Sequence, residues 1–370
     1  MATFCIFIGL LGFAAGGNLV LDTCVFLEWL PHKNQWLLTF FAFFWSIGQT
    51  VAVLLAWAFL PNNSCDSESY CPSHINKGWR YTYYVNGAIV LVMAILRITV
   101  IRLKETPKFL VSNNRDLEAV EVLQWVANKY NRKCSLTVEQ LTECGEIEIN
   151  DDVRKHVSLS GIQKIVKEHL KLLFANRKSS RSIILLFLSW FLLGIVYPLY
   201  SSFLPVYLAT RGANISASTT YGVYRDNVIS NVVSAGGPCI AGLLLYGFPR
   251  LGRRGVLAIG GLSTMAFLLG YTAITNRESN IALSSLSFAA LYIYYGCLYA
   301  YSPEVLPSAA RGTGNALCFA FTRFAGMITP IISWFANPDT AVPIYICAVA
   351  VGLIGLMALL FPFEPSKHRV

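Results

Sequence analysis

Charge is what this chain has least of. Only 13% of its 370 residues are Asp, Glu, Lys or Arg, against about a quarter in soluble domains. With 55% hydrophobic residues and a mean hydropathy of +0.53, a soluble fold of this length would lack the polar surface to cover itself. Histidine is scarce as well, with 5 residues, and the 10 cysteines form no C-x-x-C pair, so no metal site is expected. Most of the cysteines lie in apolar stretches, where they act as small hydrophobes. The phrase G-x-x-x-x-G-K-[ST] is missing, which argues against ATP-driven pumping. A nucleophile elbow and H-E-x-x-H are missing too, so the chain is not expected to be an intramembrane enzyme or to carry a cofactor. The net charge of +9 is spread between apolar runs, a placement that the positive-inside bias explains without nucleic acid. At the front there is neither a basic n-region nor an A-x-A site, so the first apolar run reads as a span rather than a leader.

Long hydrophobic runs dominate what is present. Nine reach membrane length, at 4–27, 36–60, 80–102, 182–209, 222–247, 255–274, 282–301, 312–336 and 342–362. About 20 apolar residues cross about 30 Å as a helix, and uninterrupted Leu, Ile, Val and Phe exclude the alternation of a barrel strand. The expected fold is therefore an all-α membrane bundle. Three spans (1–103) precede a hydrophilic stretch (104–181) and six follow it (182–370). The stretch 104–181 is crowded with Lys and Arg, which places it in the cytoplasm with the loop Arg250–Arg254 and the tail Lys367–Arg369. This topology puts both glycosylation sequons, Asn62-Asn63-Ser64 and Asn214-Ile215-Ser216, outside, along with Cys65 and Cys71, where a disulfide is allowed. It also puts Met1 outside.

Two copies of one phrase mark the ends of an early and a late span. Glu28-Trp29-Leu30-Pro31 and Glu304-Val305-Leu306-Pro307 suggest an internally duplicated transporter. Gly16-Gly17-Asn18 with Asp22 and Glu28, Glu105-Thr106-Pro107-Lys108-Phe109-Leu110 with Arg115, and Leu251-Gly252-Arg253-Arg254 extend the pattern. So does Ser302-Pro303-Glu304-Val305-Leu306-Pro307 with Arg311-Gly312. In this order and spacing they resemble the major facilitator superfamily. The resemblance is to the sugar-porter-like branch that includes synaptic-vesicle-protein-related transporters and their fungal relatives. It implies twelve helices in two halves of six, with the chain aligned from helix four and helices one to three absent. A truncated gene model or natural fragment is then expected rather than a working nine-helix design. The implied activity is secondary transport of a small organic solute (sugar-like, organic acid or organic ion) by alternating access, with protons as the coupling ion. The alternative is a non-transporting or regulatory membrane fragment. The implied location is the plasma membrane, with vacuolar or other endomembranes the alternatives.

Charges within the spans are the residues able to act. Asp22, near Asn18, is either a proton-coupling or substrate carboxylate or a structural partner, and Gly12 and Gly16 beside it have the spacing for close helix approach. Arg323, about 18 Å into its span at 1.5 Å per residue, needs either an ion-pair partner or an anionic substrate. Arg225 and Asp226 open a span near the outer face, as a gate contact or an interfacial anchor. Glu28, Glu304 and Arg311, with Glu105, are candidate gate residues able to pair across the halves when the cytoplasmic side closes. Arg253 and Arg254 either join them, by reaching helix-end carbonyls or these carboxylates, or are ordinary positive-inside charge. Trp190, Tyr197, Tyr200 and Tyr207 in one span, and Tyr292, Tyr294, Tyr295 and Tyr299 in another, supply rings and hydroxyls suited to a partly polar solute. Tyr207 and Tyr299 can equally belong to interfacial belts. Pro198 and Pro205 are expected to break their helix and free carbonyls for substrate. The glutamine-rich phrase of true sugar porters is missing there, so hexose is not supported. In the central stretch, Thr137 to Gln140 has capping-box spacing. Ile162, Ile165, Val166, Leu170 and Leu173 form the apolar face of an amphipathic helix beneath the bundle.

Overall fold

The computed structural model describes residues 2–65, 75–101, 104–111, 113–143, 145, 159–210, 220–273, 276–307, 310–335 and 341–364, and all regular structure among them is helical. The chain opens with α1 (Ala2–Trp29), α2 (Trp36–Phe41), α3 (Phe43–Phe59) and α4 (Gly78–Leu96), the last continuing into a π-helical segment, Arg97–Ile101. The hydrophilic stretch contains α5 (Pro107–Val111), α6 (Asp116–Lys129), α7 (Val138–Thr142) and α8 (Leu159–Leu173). Then come α9 (Arg177–Thr210), α10 (Thr220–Ser234), α11 (Gly236–Gly247), α12 (Gly252–Tyr271), α13 (Arg277–Val305), α14 (Arg311–Phe335) and α15 (Val342–Leu359). Among the described residues nine helical stretches are long and apolar enough to cross a membrane, and each overlaps one of the nine runs. The chain is thus a multi-pass integral membrane protein.

The core lies in the last six spans, around the buried Trp190, Tyr271, Tyr294, Tyr301 and Phe361. Glycine sets the closest approaches. A Cβ on Gly260 would stand 2.7 Å from the Tyr294 nitrogen, and one on Gly261 2.6 Å from Gly355 Cα. Such small residues let α12 lie backbone to backbone against α13 and α15, where dispersion contacts hold helices together in lipid. The earlier spans pack onto this core as α2 on α11, α3 on α10, and the later part of α1 on α13 and α14.

Two spans are less regular, and one more regular, than expected. The second and fifth spans are each divided, at Ala42 and Ala235. At Ala235 the reason is Pro238, which offers no N–H to the Ser234 carbonyl. Conversely, α9 runs unbroken through Pro198 and Pro205, correcting the expected breaks. Pro198 deprives the Gly194 carbonyl of its helical donor, and that oxygen abuts α14 at Gly326. Neighbouring helices routinely accommodate proline in this way. The capping box forms, with the Thr137 N–H donating to Gln140 Oε1 at 3.2 Å. Leu173 of α8 is buried against Ile183, Leu306 and Ala310, so this helix docks under the bundle. Val166 stays exposed, and the side chains of Ile162 and Ile165 lie outside the described ones.

Candidate functional site

At the linker end of the bundle the Arg253 guanidinium ties the last six spans to the first three. Arg253 lies in the first turn of α12 and is buried with Glu304 near the end of α13, their side chains 6% and 2% exposed. One arm forms an ion pair with Glu304, with Nε donating to Oε2 at 3.0 Å. The other arms cross to the first three spans, donating to Thr39 Oγ1 and, at 3.1 Å, to the Gln35 carbonyl. Such a group is stable in a dry interface only because each of its three nitrogens finds an acceptor. Gly252 makes the turn possible, since its φ of +64 lies in the left-handed region and a Cβ would meet the Glu364 carboxylate at 2.7 Å. That carboxylate accepts from the Arg253 N–H at 2.8 Å and the Arg254 N–H at 3.3 Å, and pairs with the Arg254 side chain at 3.7 Å. Sequence reasoning missed Glu364, Thr39 and Gln35, because nothing local ties them to residue 253.

The other gate candidates are distributed differently from the expected cross-half pairing. Glu304 pairs within its own half, and Glu28 accepts a hydrogen bond from Thr106 Oγ1. Arg311 donates to the Pro303 carbonyl at 2.8 Å and stands within electrostatic reach of Lys108 and Cys24. Burial, with Arg311 nearby, pulls Lys108 below the ordinary lysine range. Glu105 belongs to the linker, where Arg115 bridges it at 2.7 Å to Glu118, and the Arg115 hydrogen bond holds the Glu118 carboxyl below its usual range. Further contacts seal this end. Asn315 Nδ2 donates to Thr23 Oγ1 at 3.1 Å, the Tyr299 hydroxyl donates to the Leu19 carbonyl at 3.3 Å, and Leu27, Leu38 and Ala300 form one buried cluster. Tyr299 is therefore a contact between halves rather than part of a belt. The side chain of Tyr207 lies outside the described ones.

Asp22 has a partner that the sequence did not reveal. Arg97, in the π segment, reaches it at 3.2 Å and also donates to Asn18 Oδ1 at 2.7 Å, while Asn18 Nδ2 donates to Asp22 at 3.0 Å. The π turn places this cation, an observation in keeping with π segments at functional positions. The close helix approach expected at Gly12 and Gly16 is not made by any described atom within 4 Å. Arg225 pairs with its neighbour Asp226 at 3.0 Å.

Deeper between the halves, rings converge. Gln49 of α3 donates to the Tyr197 hydroxyl at 2.9 Å and accepts from Tyr292, so a polar chain spans α3, α9 and α13. Tyr295 packs with Trp45 at 4.9 Å and Trp190 at 5.5 Å, and Trp190 donates its indole N–H to Ser302 at 2.8 Å. Tyr200 and Tyr294 do not share this wall; Tyr200 is buried in the core against Phe288. Gln49 could have been singled out as the one amide inside a strongly apolar run. Arg323 is exposed on α14, within electrostatic reach of Tyr295. Asn62 is exposed, Asn214 and Cys71 lie outside the described residues, and Cys65 is disulfide-bonded. Among the described residues no group of His, Cys, Asp and Glu could hold a metal.

The chain is similar in sequence and in fold to known proteins. The chain is 40% identical over 371 residues to the MFS siderochrome iron transporter 1 of Ceriporiopsis subvermispora, covering 99% of this chain and 70% of that one. It is 37% identical to an uncharacterized MFS-type transporter of Schizosaccharomyces pombe, covering 98% and 68%. Its fold superposes on the proton:xylose symporter XylE with a TM-score of 0.65 at 18% identity, over 94% of this chain and 68% of that one. The family model described as Major Facilitator Superfamily matches residues 1–330. By fold, by relatives and by that match, the chain belongs to the major facilitator superfamily, a family of membrane transporters and not of enzymes.

Proposed function

We propose that the chain carries a small organic solute across the plasma membrane by alternating access, coupled to protons, with the linker end cytoplasmic. One observation carries this reading most strongly. The Arg253 guanidinium is shared between Glu304 and the Thr39 and Gln35 acceptors of the other half. A contact of this kind must break for the cytoplasmic side to open, so it divides two access states. Around it, Leu27, Leu38 and Ala300 exclude water, while the Gln49, Tyr197 and Tyr292 chain lies where a solute would bridge the halves. The names of the relatives support a small solute, iron siderochrome in one and xylose in the other.

Proton coupling is assigned to Asp22. Its carboxylate faces Arg97, and protonation would cancel the pairing and free the guanidinium, a charge change able to bias a two-state bundle. The test is Asp22→Asn in proteoliposomes, following accumulation and exchange side by side. The expected result is loss of uphill accumulation with exchange retained. Accumulation that survives with its pH dependence intact rules Asp22 out as the coupling site. If the role is structural, the variant instead expresses poorly and melts earlier, and the protein that survives still accumulates.

A further inference from the structure

Most described charges without an ion pair sit within a few residues of a span end, as Arg80 and Arg181 do, and three others deeper or at helix starts are paired. Asp22 faces Arg97, Arg225 faces Asp226, and Arg253 faces Glu304. Arg323 lies twelve residues from Arg311 and twelve from Phe335, midway along α14. It makes neither an ion pair nor a hydrogen bond with any described residue. A lone cation at mid-membrane is costly, by at least about 2.5 kcal/mol on the most lenient scale, and such residues mark ion or substrate paths.

Its surroundings narrow the class of anion. Arg323 follows Phe319 by one helical turn on the same face of α14. Phe319 packs edge-on against Trp190 at 4.9 Å and tilts against Tyr299 at 5.8 Å. Tyr295, within electrostatic reach of Arg323, meets Trp190, Trp45 and Tyr197. The cation thus borders a wall of rings that continues to the Gln49 amide and the hydroxyls of Tyr197 and Tyr292. Rings stack on flat apolar faces, a guanidinium takes a carboxylate in a bidentate fork, and an amide with two hydroxyls can satisfy one distal polar atom. We propose that the solute is a planar aromatic or heteroaromatic monocarboxylate whose carboxylate is held by Arg323 and whose ring lies against the Tyr295–Trp190–Trp45 wall. This rests on the transporter reading and names its substrate class.

The test titrates the detergent-purified chain with benzoate and nicotinate, each against its uncharged amide, following the melting midpoint. Counterflow of radiolabelled benzoate and of D-xylose is measured in parallel in proteoliposomes. Both acids are expected to raise the midpoint, since a ligand binding only the folded state stabilises it, while the amides at equal concentration do not. Arg323→Gln is expected to weaken acid binding by about tenfold to a hundredfold, the size of a lost hydrogen bond to a charged group, and Arg323→Lys to retain part of it. Amides that bind as well as acids, no response to either acid, or an Arg323→Gln variant with unchanged affinity would each overturn the carboxylate site. Acid binding that depends on Arg323 without any counterflow would leave the site standing and remove the transporter reading. Xylose counterflow without an acid response would do the reverse.

Discussion

Arg253 and Glu304 illustrate how strongly a buried residue depends on its partner. Removing one member of such a pair strands a charge in a dry site, at a cost of about 3–5 kcal/mol. Glu304→Gln is therefore expected to lower the melting midpoint and to open the linker end. Cys24 offers the readout, because its buried thiol lies under the seal beside Asn315 at 3.8 Å. Its alkylation, followed by peptide mass spectrometry, should quicken in Glu304→Gln, and an unchanged rate would remove Glu304 from the gate. Replacing both residues, Arg253→Met with Glu304→Leu, should cost less stability than either single change while still abolishing the ordered closure. The sequence marked both residues because a charge at the edge of an apolar run needs a reason. It could not choose their partners, since Thr39 and Glu364 lie more than a hundred positions from residue 253 and are joined to it only by folding. The same limit concealed Arg97 as the partner of Asp22.

Elements divide along similar lines. The nine membrane-length helices among the described residues were legible because length and hydropathy are local properties, and helices satisfy their backbones without help. The breaks were less legible. Proline was expected to interrupt α9, yet that helix continues through Pro198 while packed closely against α14, whereas Pro238 beside two glycines does divide a span. Contacts between elements carry firmer predictions. Gly261 meets Gly355 backbone to backbone, and neither helix can yield without moving a whole span. Gly261→Val is expected to force α12 from α15 at a cost of about 1–3 kcal/mol or more, seen as a lower melting midpoint and poor recovery in mild detergent. Gly247→Val, at a position with open space, is its control and should be near neutral at this level. Equal behaviour of the two variants would mean that the close approach does not support the bundle.

At the scale of the molecule, the linker end is closed where α1 and α2 meet α13 and α14, while α2 on α11 and α3 on α10 join the first three spans to the last six along their length. If closing and opening of this end is the transport motion, locking it should stop the cycle. Leu27→Cys with Ala300→Cys places two thiols in one buried cluster, and a short thiol crosslinker applied in the closed state should abolish counterflow. A reducible crosslinker should allow recovery on reduction, and counterflow that continues through complete crosslinking would argue against rocking about this seam. The candidate site was only partly readable at this scale. The tyrosines and Arg323 were visible as residue types, but Tyr200 faces the core and Gln49 faces the wall, a distinction that only packing makes.

The guanidinium of Arg323, which has no ion pair among the described residues, has an electrical consequence. In a carrier that opens to one side at a time, the membrane voltage falls mainly across whichever end is shut. A charge held midway is then transferred through much of that voltage when the shut end changes, although the side chain itself moves little. Each 100 mV is worth about 2.3 kcal/mol per full charge, enough to bias the resting orientation of the empty carrier by more than tenfold. With a carboxylate seated on it, this contribution cancels and reorientation through that group becomes indifferent to voltage. Voltage steps on solute-free membranes should accordingly evoke brief charge displacements that benzoate suppresses and that Arg323→Gln lacks. Displacements that persist in Arg323→Gln would place the voltage-sensing charge elsewhere.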